Sequence, residues 1–365
     1  MPENSSGARV LHIFGVLDPG GAEKRTLDLL PGLSAQGHQL DFLTLTGRRG
    51  QLAAQFETAG SKVFPLRLGA GFPPRFLRLL KERSYDVVHS HVATSSGPIL
   101  ALARAAGVHG RIAHFRSDGD AHGNAWPRRV QRRAGKALIS RHATDILGVS
   151  PGALTHGYRP DWATDSRCRV IPNGLPPAPT VKTPRPVGTD LRVVNVGRPL
   201  PTKRREMVVS IGAHLAAEGT PTTVTFIGQG GGDIAPWVGS VDIPGLRVTL
   251  EGVVDDVRTH LPDHDVLVFP STLEGLPGVV LEALSMGLPV VASDIPGTRY
   301  ISGTVPGVTL LRADSPVARW ASAARDAALA GPSTRQGLRE AFAQSCFTTN
   351  TTIQQLGEIY AGHHR

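Results

Sequence analysis

The sequence predicts an α/β protein made of two Rossmann-like, doubly wound parallel-sheet domains. Two observations carry that prediction. Short apolar, β-branched runs alternate with helical periodicity through the first half, and the alternation restarts after a proline-rich interval. At 365 residues the chain is long for one domain and comfortable for two, each with its own core.

In the first half, Arg9–Phe14 reads as a strand, Ala22–Gln36 as a helix and Gln39–Thr44 as a strand. Val63–Leu66 is a short strand, Arg75–Arg83 a helix and Val87–Ser90 a buried strand. Pro98–Ala106 is helical, Arg111–Phe115 a strand and Pro127–His142 a basic helix, with short strands at Ile146–Val149 and Arg169–Ile171. Between Leu175 and Thr189 come Pro176, Pro177, Pro179, Pro184 and Pro186 without periodicity. This composition marks a linker. The expected divisions are 1–176, a linker at 177–190, a second domain at 191–345 and a terminal segment at 346–365. Beyond the linker, Arg192–Val196, Thr223–Ile227 and Val248–Glu251 read as strands and Arg205–Glu218 as a helix. Further helical stretches are Val317–Ala330 and Asn350–Gly362.

The segment Asp265–Asp294 is the most informative for chemistry. Val266–Pro270 is a run of the kind buried on both faces, Pro277 stands at a plausible first helical position, Gly287 closes the helix, and Pro289–Ala292 is a second strand. Glu274 lies just before the helix and Glu282 within it. The amide groups of Gly275, Leu276, Pro277, Gly278 and Val279 would point from a helix N-terminus, a seat for phosphate. A carboxylate beside that seat and another eight residues later suit a ligand with hydroxyls on both sides of a phosphate, such as a nucleotide-sugar.

Composition narrows the alternatives. Two cysteines, Cys168 and Cys346, cannot make a disulfide framework, so a cytoplasmic setting is the default. MPENSSG is no secretory signal, and the longest apolar runs are broken at Arg104 and Glu282, so no transmembrane helix is expected. Residues 1–179 hold 23 Lys and Arg against 13 Asp and Glu, a net +10, whereas residues 180–365 hold 16 against 17, a net −1. Arg128, Arg129, Arg132, Arg133, Lys136 and Arg141 concentrate that excess on one helix. Spacings of three and four put most of these cations on one face, leaving Ala134, Ala137, Leu138 and Ile139 to pack on the sheet. An anionic partner for the first domain is the reading: a lipid-phosphate-linked molecule or the anionic inner membrane leaflet, with no nucleic acid. A solvated basic face is the bland alternative.

The Glu274–seven residues–Glu282 segment, with its small-residue turn and the apolar strand ending in Asp294, resembles the retaining glycosyltransferases of GT-B architecture, glycosyltransferase family 4. The resemblance implies two Rossmann-like domains facing a cleft, with the donor nucleotide-sugar on the C-terminal one and the acceptor mainly on the N-terminal one. It implies that the terminal helix crosses back to the N-terminal domain. It also implies that Glu274 contacts the donor sugar and Glu282 the ribose. Arg198 and Lys203, in NVGRPLPTK after the first strand of the second domain, match the family's spacing and would stabilise the leaving diphosphate. Arg204 and Arg205 read as a solvated basic loop. Gly20 and Gly21, in DPGGAE, resemble the loop that faces the donor, and Gly228 and Val254 fall where the family places turns near the nucleotide base.

A histidine of related enzymes contacts the donor sugar from the N-terminal domain. Here His91, His114 and Arg116 compete for that place, with His114 and Arg116 the catalytic candidates. Arg299 and Tyr300 in PGTRYI replace an acidic residue common in relatives. Asp118 and Asp120 could hold a divalent ion on a donor diphosphate. With Arg198 and Lys203 available for that charge, they read as acceptor-side or loop residues, and neither a metal nor a cofactor is expected. The expected activity is a hexosyltransferase moving a hexosyl or N-acetylhexosaminyl group from a UDP-sugar to a saccharide, glycolipid or small-molecule acceptor. Its alternatives are a GT-B sugar-nucleotide epimerase and a non-catalytic nucleotide-sugar-binding module. Abundant Ala, Gly, Arg and Pro suggests a GC-rich genome and a bacterial polysaccharide or natural-product pathway.

Overall fold

A computed structural model describes residues 7–117, 126–179, 190–235, 243–329 and 331–364. The chain forms two compact units, residues 1–176 with 349–365, and residues 177–348.

The first unit is a seven-stranded sheet: β1 (Arg9–Phe14), β2 (Gln39–Thr44), β3 (Val63–Pro65), β4 (Val87–Ser90), β5 (Gly110–Phe115), β6 (Asp145–Gly148) and β7 (Cys168–Val170). The spatial order is β3-β2-β1-β4-β5-β6-β7 and every pair is parallel. The order reverses between β1 and β4, which makes a switch point at their carboxyl ends. Its helices are α1 (Gly21–Ala35), α2 (Ala53–Thr58), α3 (Phe72–Arg83), α4 (Ser96–Ala105), α5 (Trp126–His142) and α6 (Pro151–Gly157).

The second unit repeats the plan with β8 (Leu191–Val196), α7 (Arg205–Ala217), β9 (Thr222–Ile227), β10 (Leu246–Gly252), β11 (Val266–Phe269), α8 (Gly278–Ser285) and β12 (Val290–Ser293). It continues with α9 (Pro296–Ser302), β13 (Val308–Leu311), α10 (Val317–Ala328) and α11 (Pro332–Ala343). Its parallel order is β10-β9-β8-β11-β12-β13, with the reversal between β8 and β11. The core gathers Val193, Val208, Ile211, Val224, Phe226, Val266, Val291 and Trp320.

The final helix, α12 (Thr349–Ala361), belongs to the first unit. It lies on α1 so closely that a Cβ on Gly32 would run into Ile353, and it adds Leu356, Ile359 and Tyr360 to the core of Val10, Phe42, Val87 and Ile112. Both units lock their switch strands in the same way. Asp86, before β4, accepts from the amide of Arg9 at 2.8 Å, and Asp265, before β11, accepts from the amide of Arg192 at 2.9 Å.

Several elements differ from the sequence reading. α2, α6, α9, α11 and β13 were not anticipated, because pieces of four to seven residues carry too little periodicity, and α11 reads as polar. α11 is recruited by Arg335, whose guanidinium is buried against the carbonyls of His264 and Asp265 at 3.1 and 3.2 Å. Pro277 proves to be the N-cap of α8 rather than its first residue. On α5 the buried positions are Gly135 and Ile139, while Ala134 and Ala137 are exposed. Gly135 packs so closely on Thr94 that its backbone, not an alanine stripe, makes the contact. No described helix is long and apolar enough to cross a membrane.

Candidate functional site

In the second unit, the loops after β8 and β11 emerge side by side above the switch point. The Thr272 amide fastens them, donating to the carbonyl of Thr202 at 2.9 Å, with Ser271 Oγ 3.2 Å from the same oxygen. Lys203 and Glu274 are thereby brought together as an ion pair, each side chain about one-fifth exposed. Ser271 Oγ gives its one proton to Glu274 Oε1 at 2.8 Å, and the Lys203 ammonium lies 5.3 Å from the centre of the Phe269 ring. A cation over an aromatic face and a carboxylate with a hydroxyl donor are thus held side by side.

Next to this pair α8 begins without a side-chain cap, so its first free amides face outward from a helix start. Pro277 supplies none of them, because proline has no N–H. Leu276 and Pro277 are buried, Gly278 and Val279 half-buried, and Glu282 is half-buried on the second turn of α8. Gly297, in α9, backs directly onto this loop: a Cβ there would stand 2.6 Å from the Gly275 carbonyl oxygen. The PGTRYI segment therefore braces the Glu274 loop. Arg299 pairs with Asp294 at 2.9 Å, and Tyr300 turns toward Cys346 and Phe347. Arg198 is exposed and makes no ion pair with any described residue.

Arg204 and Arg205 are not a solvated pair. Arg204 takes a left-handed backbone (φ 48°) and reaches the carbonyl of Ala313. Arg205 is 1% exposed, its guanidinium 5.1 Å from the Phe226 ring centre and 3.2 Å from the carbonyls of Gln229 and Gly230. It shapes the turn in which Gly228, at φ 136° and pressed on the Gly197 carbonyl, has no room for a Cβ. The basic run of the sequence concealed this role, because spacing alone does not say which arginine turns inward. Val254 is half-buried beside an exposed Val253.

In the first unit, Gly20 caps α1 in an extended conformation and Gly21 starts it, with open space where a Gly21 side chain would be. Four histidines converge on the β1/β4 switch point: His12 from β1, His89 from β4, His91 just beyond it, and His114 near the end of β5. His12, His89 and His114 are at most 2% exposed. His12 Nδ1 is 2.9 Å from His91 Nε2, and His89 Nε2 is 3.0 Å from His114 Nδ1. Tyr360 joins the two pairs, its hydroxyl 2.7 Å from His89 Nδ1 and 3.3 Å from His12 Nε2. Arg116 donates from Nε to His91 Nδ1 at 3.2 Å and from Nη2 to Thr26 at 3.2 Å, and reaches Asn173. Burial, then the positive charge of Arg116, pushes the His12 imidazole down to about 3; burial first also holds His89, His91 and His114 well below their usual range.

The candidates His91, His114 and Arg116 therefore belong to one network. His12, Tyr360 and Asn173 complete it and were missed, His12 as a plain strand residue and the other two for their distance along the chain. Nitrogens of His12, His89 and His91 lie within 4.8 Å of one another, close enough for a metal ion. All of them are already engaged in hydrogen bonds beside a guanidinium, which opposes a further cation. Asp118 and Asp120 lie outside the described residues.

Residues 20–174 match the model of the glycosyl transferase 4-like domain, and residues 190–328 that of the glycosyl transferases group 1. The chain is 30% identical over 293 residues to the capsular polysaccharide biosynthesis glycosyltransferase CapH of Staphylococcus aureus, covering 79% of this chain and 81% of that protein. It is 27% identical over 379 residues to EpsF of Bacillus subtilis (strain 168), covering 98% and 97%. Among solved structures, Anabaena HepE in complex with UDP and glucose aligns with a TM-score of 0.74 at 17% identity, over 96% of this chain and 98% of that one. With the two parallel-sheet units and the Glu274–Glu282 segment, these likenesses establish that the chain belongs to the group 1 glycosyltransferases, family 4 enzymes of GT-B architecture.

Proposed function

We propose that this glycosyltransferase moves a hexosyl or N-acetylhexosaminyl group from a UDP-sugar to a hydroxyl of a saccharide, lipid-linked or small-molecule acceptor, with retention at the anomeric carbon and without a metal. The observation that carries the reading is the Lys203–Glu274 pair beside the uncapped start of α8. An incoming diphosphate would compete for Lys203 and take the first amides of α8. Glu274, released from its cation, would then turn its carboxylate to the sugar hydroxyls. Arg198, exposed on the same loop, would add charge as the bond from the anomeric carbon to the phosphate oxygen breaks. The acceptor oxygen forms the new bond to that carbon, and its proton passes to the leaving phosphate. Glu282 would hold the ribose, Gly228 and Val254 would border the base, and Gly20 and Gly21 would present amides to the donor. Support for uridine as the base comes from HepE, solved with UDP-glucose, and a role in polysaccharide assembly is in keeping with CapH.

For the acceptor side we propose an anionic membrane lipid or lipid-phosphate-linked acceptor at α5. Arg128, Arg129 and Arg133 are exposed there, with Trp126 at 75% and Val130 at 48% exposure among them. Beside the helix runs an apolar groove of about 340 Å³, lined by Leu68, Phe72, Pro98, Ile99, Leu102 and Leu138. Exposed aromatic and aliphatic groups among cations are the composition of a helix that lies on a charged lipid surface.

The test is incubation with a panel of nucleotide-sugars, following release of the nucleoside diphosphate with and without saccharide and lipid-linked acceptors. One UDP-sugar should be turned over, and excess EDTA should leave the initial rate nearly unchanged. Activity lost in EDTA and restored by manganese or magnesium would sink the metal-independent part. Consumption of donor equally fast without acceptor would favour an epimerase or hydrolase.

A further inference from the structure

The four histidines and Tyr360 form a hydrogen-bond chain whose direction is set at one end. Arginine can only donate. Because Arg116 Nε–H donates to His91 Nδ1, a neutral His91 carries its proton on Nε2 and donates it to His12 Nδ1. His12 must then be protonated on Nε2, which faces the Tyr360 oxygen. Tyr360, receiving there, donates its own proton to His89 Nδ1. His89 is left with Nε2–H, which donates to His114 Nδ1. The direction ends at His114 Nε2–H, a donor buried from solvent with no partner among the described residues.

We infer that Arg116, His91, His12, Tyr360 and His89 are positioning residues that fix the tautomer of His114, so that it presents an N–H and never a lone pair at the carboxyl end of β5. From Arg116 to His12 each link has one permitted sense, and beyond it the buried Tyr360 hydroxyl, already accepting from His12, finds the acceptor for its own proton in His89 Nδ1. An added proton on His91, His12 or His114 would set two donors face to face. The chain is therefore neutral throughout, with all four histidines in the Nε2–H form. An orphaned buried donor costs free energy until an oxygen accepts from it. The group it is prepared for is an acceptor oxygen that uncovers this buried N–H as it arrives, here a hydroxyl of the sugar substrate, and that identification alone rests on the proposed transfer reaction.

This assignment explains why Arg116 can stand at the edge of a histidine cluster. A histidine at 116 could donate or accept, and the chain would have no fixed sense. Tyr360 arrives from α12, some 270 residues beyond His89 in sequence, so the relay exists only once that helix is docked.

Nitrogen NMR of the full-length protein labelled with ¹⁵N-histidine, at pH 8, tests the relay without reference to activity. All four imidazoles should be Nε2–H tautomers with Nδ1 accepting; a Nδ1–H form at His114 or at any other member would overturn the assignment. In Tyr360→Phe, the Nδ1 signals of His89 and His114 should report the loss of the upstream donor, while the His91 Nδ1 signal stays in place. Equal changes at His91 and His89, or none at His89, would contradict a directed chain. Should that variant fail to fold, the wild-type tautomers still decide. Separately, if the sugar accepts from His114, Tyr360→Phe should lower kcat roughly tenfold with little change in KM for the donor. Correct tautomers with an unchanged kcat would leave the relay standing and overturn its link to transfer.

Discussion

Lys203 and Glu274 neutralise each other across two loops that meet only because β8 and β11 are neighbours at the switch point. On the proposed reaction their duties separate when donor binds, and so should their variants. Glu274→Gln removes charge where the anomeric carbon becomes cationic, so turnover should fall about 10²–10³-fold with the donor Kd changed far less. Glu282→Gln should raise the donor Kd about tenfold and spare turnover at saturation, the cost of one charge-assisted hydrogen bond. Single-turnover rates with calorimetric binding separate the two, and near-normal transfer by both would remove the assignment. The histidine network has a second consequence. Its imidazoles are held neutral by burial and by Arg116, with Glu23 near that guanidinium and His38 edge-on to Tyr360. Unfolded, each would titrate near 6.5 and bind the proton that the folded state refuses. Their contribution to folding is therefore complete above pH 6.5 and is lost as pH falls, by up to about 1.4 kcal/mol per pH unit for each group. Hydrogen exchange between pH 8 and 5 should show the first unit weakening more than the second, where His264 is the one buried histidine among the described residues. Equal weakening of both would contradict this.

Elements show why some assignments could be made from sequence and others not. β11, α8 and β12 were legible because an apolar β-branched run, a capless helix ended by glycine and a second run follow one another within thirty residues. The brace that α9 gives to the Glu274 loop was not, since it depends on Gly297 meeting a backbone carbonyl 22 residues away. The basic character of α5 was plain in its sequence, and Ile139 lies on its buried side as expected, but Ala134 and Ala137 do not: a stripe of small residues does not say which of them meets the neighbouring helix. What matters for a partner is the exposed side. Changing Arg128, Arg129, Arg132 and Arg133 to Gln should abolish co-sedimentation with liposomes containing anionic lipid, and the wild-type protein should itself be released by high salt. Equal, negligible sedimentation with anionic and neutral liposomes would discard the membrane proposal and leave a soluble acceptor.

At the scale of the whole chain, each unit has its own core, and the last helix stabilises the first unit. Leu356, 2% exposed on α12, packs into the core of the strands. Leu356→Ala should lower the stability of the first unit by about 2–5 kcal/mol and leave the second unchanged, read by hydrogen exchange resolved along the chain. Simultaneous loss of protection in both units would show instead that they unfold as one. By itself the sequence determined the fold class and the restart of the alternation after the prolines, and it set Glu274, Lys203 and Arg198 in the loops that follow two strands. All of these follow from local periodicity and from residues set at strand ends. Tertiary structure alone decided that Arg205 turns inward, that Lys203 holds Glu274, and that Tyr360 joins two histidine pairs. Those facts depend on contacts between residues far apart in the chain, whose partners no local pattern names, and the low-dielectric interior makes each polar partner obligatory once the fold has brought it in.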